Sequence, residues 1–230
     1  PEYLLDQIKE AGFNMLSVAN NHVGDFGNTG RANTVKALKD RGFCYAGQTT
    51  CPTGILNVKG LKIGLTAFAP NNGCLSINDL NLLTKTVQGL KQTCDLVIVS
   101  FHGGAEGPSA SHVPKKTEIF LGENRGNVTE FARKAIDAGA DVVLGHGPHV
   151  SRAIDRYKGK FIAYSMGNFC TYGRFSLRGS AGIAPILQIK IKKDGTFIEG
   201  KIISIAQLGE GGPVLDKNYA ALNEIKGLTL

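Results

Sequence analysis

The sequence predicts an α/β fold with a mainly parallel central sheet, on three observations. Short continuous apolar runs, typical of buried parallel strands, recur along the chain. Segments with helical spacing of apolar residues stand between these runs, and a glycine often follows the helix. Two other segments alternate apolar and polar residues, as hairpins with one solvated face do. We therefore expect a mixed sheet, or two sheets packed together.

Helix–glycine–strand units supply most of the predicted elements. The helical patterns cover 4–11, 32–38, 80–90 and 128–136, and the strands after them begin at Asn14, Phe43, Leu96 and Val142. Asn127 and Glu130 resemble a capping box at the start of the fourth helix. A further apolar run, 161–164, predicts one more strand.

Two hairpins and a tail complete the predicted fold. The hairpins are expected at 55–68, around Lys59-Gly60-Leu61, and at 187–205, around Asp194-Gly195. The glycine-rich tail, 209–230, is expected to pack on the body or to leave it. Residues 1–230 are expected to form one domain, because α/β chains of this length often do. The chain opens inside a helical pattern, so we expect that upstream sequence has been removed.

Composition restricts the class of protein and its partners. The chain has 230 residues, 42% of them hydrophobic and 20% charged, which is typical of globular proteins. A net charge of +7 favours an anionic partner, such as an acidic polymer or a phosphate-containing substrate. Nucleic acid is disfavoured because the basic residues are scattered and lack interleaved aromatics, and a solvated basic surface is the simplest alternative. No apolar stretch reaches the ~20 residues of a transmembrane segment.

The five cysteines are odd in number and show no CxxC spacing. This pattern argues against a disulfide framework and against a cysteine zinc site. It mildly favours a reducing compartment, although a pair such as Cys44 with Cys51 could form outside the cell.

Three apolar runs end on a histidine, and this is the strongest functional signal in the chain. The runs lead to His22, His102 and His146, and the run at 161–164 leads to Asn168. Ligands of α/β sheets bind beyond the carboxyl ends of the strands, so these side chains are expected to converge on one crevice. Imidazole and carboxamide groups ligate metals or transfer protons.

Each cluster has a structural alternative. Asn20-Asn21-His22 with Asp25 could supply a metal-ligating amide and a proton donor, or could form a turn that caps a helix near Thr29. The two interpretations are about even. His102 with Glu106 offers a metal ligand and a general base, or lies in a flexible loop.

The segment His146-Gly147-Pro148-His149 is the most specific of the clusters. Its two imidazoles are spaced to share one metal or to bridge two. Asn168 could hydrogen-bond a ligating imidazole. Ser165 lacks a nucleophile elbow, which disfavours a serine hydrolase, and His112 is expected at the surface.

Together, these segments resemble the CapA-type capsule-synthesis proteins associated with poly-γ-glutamate production, a branch of the calcineurin-like metallophosphoesterases. The matching segments are 19–27, 46–47, 102–106, 145–150 and 164–169, and the similarity covers roughly 3–190. The resemblance implies a four-layer α-β-β-α sandwich with one or two divalent metal ions. It does not indicate whether the metal is Mn, Fe, Zn or Mg. The family often works at the cell surface or anchored to a membrane.

Position by position, the resemblance implies roles for individual residues. The implied metal ligands are Asn21, His102, His146 and His149. The implied catalytic residues are His22, as proton donor, and Glu106, while Asp25 and Asn168 would contact ligands or substrate. This sequence departs from the family at Gly103, Gly107 and Gly147, where Trp, Tyr and His are usual, and it lacks the opening strand with a metal-binding Asp. These departures are consistent with an incomplete site.

Three functions follow as hypotheses. The first is the biosynthesis, trimming or anchoring of an anionic poly-γ-glutamate-type capsule polymer, with a metal-dependent hydrolase site. The second is a metal-dependent phosphodiesterase that acts on a small phosphodiester. The third is a non-catalytic subunit that binds or assembles polymer.

Overall fold

The computed structural model describes residues 2–171, 173, 176–209 and 211–229. The first helices and strands are α1 (Leu4–Glu10), β1 (Met15–Ser17), α2 (Gly27–Asp40), β2 (Cys44–Ala46), β3 (Thr53–Val58), β4 (Leu61–Ala69), β5 (Leu75–Ser76), α3 (Leu80–Lys91) and β6 (Leu96–His102). Next come β7 (Ile119–Phe120), β8 (Glu123–Asn124), α4 (Val128–Asp137), β9 (Val142–His146), β10 (Ile154–Tyr157) and β11 (Lys160–Ala163). The last are β12 (Ile183–Ile191), β13 (Phe197–Gln207), β14 (Pro213–Leu215) and α5 (Ala220–Leu228).

The central sheet is mixed, as expected from the hairpin at its edge. Its strand order is β10-β11-β9-β6-β4-β3, and β5 pairs with β4. Strands β4, β6, β9 and β11 run parallel, whereas β3 and β10 are antiparallel to their neighbours. Strands β3 and β4 meet through the predicted turn, in which Lys59 and Gly60 both have positive φ, the geometry of a tight hairpin turn.

Helices α3 and α4 cover one face of this sheet with a continuous apolar core. The ring of Phe131 on α4 lies edge-on against Phe68 and Phe101, at centroid distances of 5.3 and 5.5 Å. Asn127 is the N-cap of α4: its side chain accepts a hydrogen bond from the N–H of Glu130 at 3.2 Å, and its side-chain amide nitrogen donates to Glu130 Oε2 at 3.1 Å, in place of the backbone N–H of a full capping box.

The β12–β13 hairpin packs on part of the opposite face, through alternate residues such as Leu187 and Ile189. Strand β2 packs on the same face near β3 and β4. Between the central sheet and β12 lies an apolar cavity of about 340 Å³, lined by residues such as Ile98, Leu144 and Leu187. The tail packs on the body: β14 pairs with β13, and the N–H of Leu222 in α5 donates to Ser204 Oγ of β13 at 3.0 Å.

Several short elements are absent from the sequence prediction. They are β5, β7, β8, β10, β14 and α5. Strand β10 contains Asp155 and Arg156 rather than an apolar run, and it forms because Lys158 and Gly159, both at positive φ, turn the chain back onto β11. None of the helices in the described part of the chain combines the length and the apolar character that a membrane span requires.

Candidate functional site

The carboxyl ends of three parallel strands meet at one edge of the central sheet. His102 and His146 are register partners at the ends of β6 and β9. Strand β11 lies beside β9, and the segment after it leads to Asn168. The sequence therefore places side chains from β6, β9 and β11 at this edge.

The two register partners are held as neutral imidazoles. His102 is buried, and desolvation lowers its pKa to about 3, with smaller contributions from the charges of Arg125, His146, His149 and His22. His146 keeps part of its surface exposed, yet desolvation lowers its pKa to about 4. Neutral imidazole is the form that ligates a metal or accepts a proton.

His149 is fixed by Asn168 in a backbone conformation that is uncommon for a residue with a side chain. Its φ is 59°, in the left-handed region. The side-chain amide nitrogen of Asn168 donates to the carbonyls of His149 (3.1 Å) and Ala181 (3.0 Å). The amide oxygen therefore faces His149 Nδ1, at 2.7 Å. An oxygen acceptor requires Nδ1–H, so the lone pair of the neutral ring lies on Nε2.

The loop after β6 presents Glu106 to the same region. Glu106 Oε2 lies 3.9 Å from His149 Nε2. The loop is held from beneath by a buried ion pair, in which Arg152 donates to both oxygens of Glu118 at 2.7 and 3.0 Å. Glu118 accepts from the N–H of Ala105, and Arg152 donates to the carbonyl of Ala105. The ion pair thus fixes the backbone next to Glu106.

Two of the departures from the family pattern have a packing reason. The N–H of Gly103 donates to the carbonyl of His146 at 2.8 Å. A Cβ on Gly103 would lie 2.8 Å from the carbonyl oxygen of Arg125, and a Cβ on Gly147 would lie 2.8 Å from the carbonyl oxygen of Gly103. The loops after β6 and β9 are therefore too close for Trp or His at these positions.

Arg125 is a buried cation inside the cluster. It is 5% exposed. Its Nη2 lies 3.1 Å from Glu106 Oε1, its Nε forms an ion pair with Glu123, and its Nη1 lies 3.4 Å from His102 Nε2. The guanidinium therefore pairs with two carboxylates, balances one of their two negative charges, and contacts the accepting nitrogen of an imidazole.

The first cluster lies on the loop after β1, and the hydrogen bonds of its side chains described here are local. The side chain of Asn20 accepts from the N–H of His22 at 2.8 Å, and His22 Nδ1 contacts Asp25 Oδ2 at 2.8 Å. His22 is exposed and Asn21 is half-buried. Asn20 thus makes the turn of the structural alternative. The expected capping of the helix is wrong, because α2 begins at Gly27, ahead of Thr29, and its N-cap is Phe26, without a side-chain hydrogen bond.

The candidate residues come from two regions of the structure. His102, His146, His149, Glu106 and Asn168 share one edge of the central sheet, whereas Asn21, His22 and Asp25 belong to the loop after β1. The charge of His22 makes the smallest of the named contributions to the lowered pKa of His102. His112 is exposed, as expected.

Sequence analysis missed the charged residues that organise the site. They are Glu118, Glu123, Arg125 and Arg152. Arginine and glutamate are mostly exposed in proteins, so their burial gives no periodic signal in the sequence.

The side chains do not fit a metal ion as they stand. In the part of the chain that the structure describes, no three His, Cys, Asp or Glu side chains are grouped so that they could hold one. At His102 Nε2, where a metal would bind, the partner is the guanidinium of Arg125. We therefore assign no chemical step to a metal.

A cavity of about 320 Å³ opens beside the cluster. It is lined by Glu106, His149 and Asn168, together with Phe120 and Arg178. Arg178 is exposed, in contrast to the buried Arg125. The cavity therefore offers an aromatic wall and a cation next to the imidazole of His149.

Comparison with known families gives a match over most of the chain. A family profile described as "Bacterial capsule synthesis protein PGA_cap" matches residues 1–172. The capsule biosynthesis protein CapA of Bacillus anthracis is 32% identical, over 94% of this chain and 54% of that protein. The PGA biosynthesis protein CapA of Bacillus subtilis (strain 168) is 29% identical, over 82% of this chain and 50% of that protein. The chain thus spans about half the length of these relatives.

Solved structures with a similar fold are distant in sequence. A hypothetical protein from Thermus thermophilus aligns with a TM-score of 0.59 and 14% identity, over 89% of this chain and 81% of that one. A putative 5′-nucleotidase from Staphylococcus aureus aligns with a TM-score of 0.56 and 14% identity, over 98% of this chain and 43% of that one. The chain therefore shares the mixed α/β fold of these proteins, as predicted, whereas the four-layer α-β-β-α sandwich stays a prediction.

Proposed function

Because the chain belongs to the bacterial capsule synthesis family PGA_cap, we propose that it acts in the biosynthesis, trimming or anchoring of an anionic, poly-γ-glutamate-type capsule polymer. The observation that carries the proposal beyond family membership is the cavity beside His149. A γ-linked glutamate polymer carries one carboxylate per residue, and Arg178 offers this cavity a cation that can bind a carboxylate through two N–H groups. The net charge of +7 attracts the polymer at longer range.

The chemistry available at this site is proton transfer. Asn168 holds the Nδ1–H of His149, so Nε2 is the basic nitrogen, and Glu106 lies 3.9 Å from it. This pair could move a proton to or from a bound polymer. A metal-dependent hydrolase at this site is a more specific hypothesis. It requires bound metal, and elemental analysis of the purified protein measures the metal content.

Polymer binding is tested by fluorescence anisotropy with labelled poly-γ-glutamate. Arg178→Ala should weaken binding about tenfold, because a charge-assisted hydrogen-bond pair is lost. Arg156→Ala is the matched control, since Arg156 is an exposed arginine on β10, outside the cavity. Equal losses for the two variants, or no binding by the unmodified protein, would count against the proposal.

A metal-dependent phosphodiesterase is the second candidate, and the metallophosphoesterase-like fold favours it. In this candidate, His22 protonates the leaving group. Hydrolysis of a chromogenic phosphodiester that disappears in His22→Ala would support it. Absence of turnover by protein saturated with Mn²⁺ or Zn²⁺ would dismiss it.

A non-catalytic polymer-binding subunit is the third candidate. The contact between Arg125 and His102 favours it, because the guanidinium stands where a metal-ligating nitrogen would be needed. Polymer binding that is unchanged by EDTA, without any release of shorter chains, is the expected result for this candidate.

A further inference from the structure

Arg125 is held in place by its backbone as well as by its side chain. Its N–H donates to the carbonyl of Glu118, and its carbonyl accepts from the N–H of Gly104, both at 2.9 Å. The guanidinium carbon lies 5.7 Å from the ring centroid of Phe120. The position of the cation is therefore determined by the β7–β8 hairpin and by the loop after β6.

The groups around the guanidinium are of kinds that bind divalent cations, although in the described residues they are not grouped so as to hold one while Arg125 stands between them. Glu106 and Glu123 contribute carboxylates, and His102 contributes the Nε2 of a neutral imidazole. Oxygen and imidazole donors of this kind suit zinc and manganese. His149 Nε2, 3.9 Å from Glu106, lies within reach of the same set.

We propose that the guanidinium of Arg125 takes the place of a divalent cation in this site, so that Arg125 and a metal ion exclude each other. With Arg125 present, the two carboxylates share one covalently attached positive charge, which balances half of their negative charge. Without it, two partly buried carboxylates and an imidazole would face each other uncompensated, which is costly unless another cation enters. This proposal rests on the site of the proposed function. Its argument is the geometry around Arg125 and not polymer binding, so one proposal can be wrong while the other is right.

The test compares metal uptake by the 230-residue protein and by Arg125→Met, using isothermal titration with ZnCl₂ and elemental analysis after dialysis. Arg125→Met should bind one Zn²⁺ at least about tenfold more tightly than the unmodified protein. Arg133→Met is the matched control, because Arg133 pairs with Asp155 outside the site. It should leave zinc affinity unchanged.

Three outcomes would overturn the proposal. One is equal zinc affinity in the unmodified protein and Arg125→Met, and another is an equal gain in Arg133→Met. If Arg125→Met is unfolded without metal, we expect Zn²⁺ to restore its circular dichroism spectrum by replacing the missing charge. Failure to refold with zinc, while Arg125→Lys folds normally, is the third. Polymer binding by the unmodified protein is measured separately and bears only on the proposed function.

Discussion

A single amide, Asn168, determines how His149 presents its ring. The amide nitrogen is committed to two carbonyls, which leaves the oxygen for Nδ1 and puts the basic lone pair on Nε2. The same contacts stabilise a backbone conformation with positive φ. The orientation of the His149 ring, its tautomer and its backbone conformation therefore all depend on Asn168.

Asn168→Ala should lower the free energy of unfolding by about 2 kcal/mol, because it removes three hydrogen bonds and leaves carbonyls of a tightly packed turn without a partner. Urea denaturation monitored by circular dichroism measures the change. Asn218→Ala, at an exposed turn, is the control and should leave the urea midpoint unchanged. Equal midpoints for the two variants would show that Asn168 does not hold the turn.

Gly104→Ala should be more destabilising than Gly107→Ala. Both glycines have positive φ, at 85° and 90°, so alanine costs about 1 to 2 kcal/mol at either position. At Gly104 the new Cβ would also lie 2.6 Å from Arg152 Nη1, which its ion pair prevents from moving, whereas nothing lies within 4 Å at Gly107. Overpacking should add at least about 1 kcal/mol at Gly104, measured by thermal unfolding. A smaller loss at Gly104 would mean that Arg152 is free to shift.

Part of the site follows from sequence at the scale of residues. The histidines directly follow apolar runs, and the expected hydrogen bond between Asn168 and an imidazole is present, at His149. Arg125 and Glu118 could not be found in this way, because their burial depends on contacts between loops distant in sequence. The roles of the eight candidate residues stay predictions until variants are measured.

At the scale of elements, helices and strands with a long apolar pattern could be predicted from sequence, and very short ones could not. The long periodic segments gave α3, α4, β4, β6, β9 and the β12–β13 hairpin. Strands of two residues, such as β7 and β8, carry no periodicity. They form because Leu121 and Gly122 turn the chain and because Arg125 anchors the hairpin.

Asp141 joins four elements at the start of β9, and Asp141→Asn should show its effect on stability. The carboxylate is 1% exposed; it accepts from the N–H of Val97 at 2.9 Å and pairs with Lys91 and Lys160 at 2.8 and 2.6 Å. Removing its charge should cost about 3 kcal/mol, at the low end for buried pairs because the lysines reach solvent. Chemical denaturation measures the change, and Asp137→Asn, whose partner Lys158 is exposed, is the control.

Similar losses for Asp141→Asn and Asp137→Asn would contradict the structural role given to Asp141. A high-salt measurement adds a second criterion. The pair at Asp137 should weaken in salt, whereas the buried carboxylate should be affected much less.

The whole molecule is basic, yet its site is built around carboxylates and neutral imidazoles. The chain carries a net charge of +7, and inside it Arg125 and Arg152 pair with the carboxylates of Glu106 and Glu118. The net charge can be read from composition. The internal pairing cannot, because it depends on which charges the fold buries together.

Metal-free protein should lose stability as the pH falls below about 6.5. The folded-state pKa values of His102 and His146, about 3 and about 4, lie below the value of an unfolded histidine. Between about pH 6.5 and 4 the unfolded chain therefore binds up to about two more protons than the folded chain. The stabilisation is fully present above about pH 6.5 and declines toward about pH 4.

Urea midpoints recorded between about pH 7.5 and 4.5 with EDTA present measure this loss. His102→Gln should flatten the dependence, and His112→Gln, at an exposed position, should leave it as it is. A midpoint that stays constant over this range would mean that the two imidazoles are protonated as easily in the folded protein as in the unfolded chain.

The apolar cavity of about 340 Å³ between the central sheet and β12 has a consequence for compression. Space that is poorly filled in the folded state collapses when the chain unfolds into water, so the folded protein has the larger volume in solution. Hydrostatic pressure should therefore lower the free energy of unfolding. The first tertiary contacts to loosen should be those of the β12–β13 hairpin, because Leu187 and Ile189 border the gap directly.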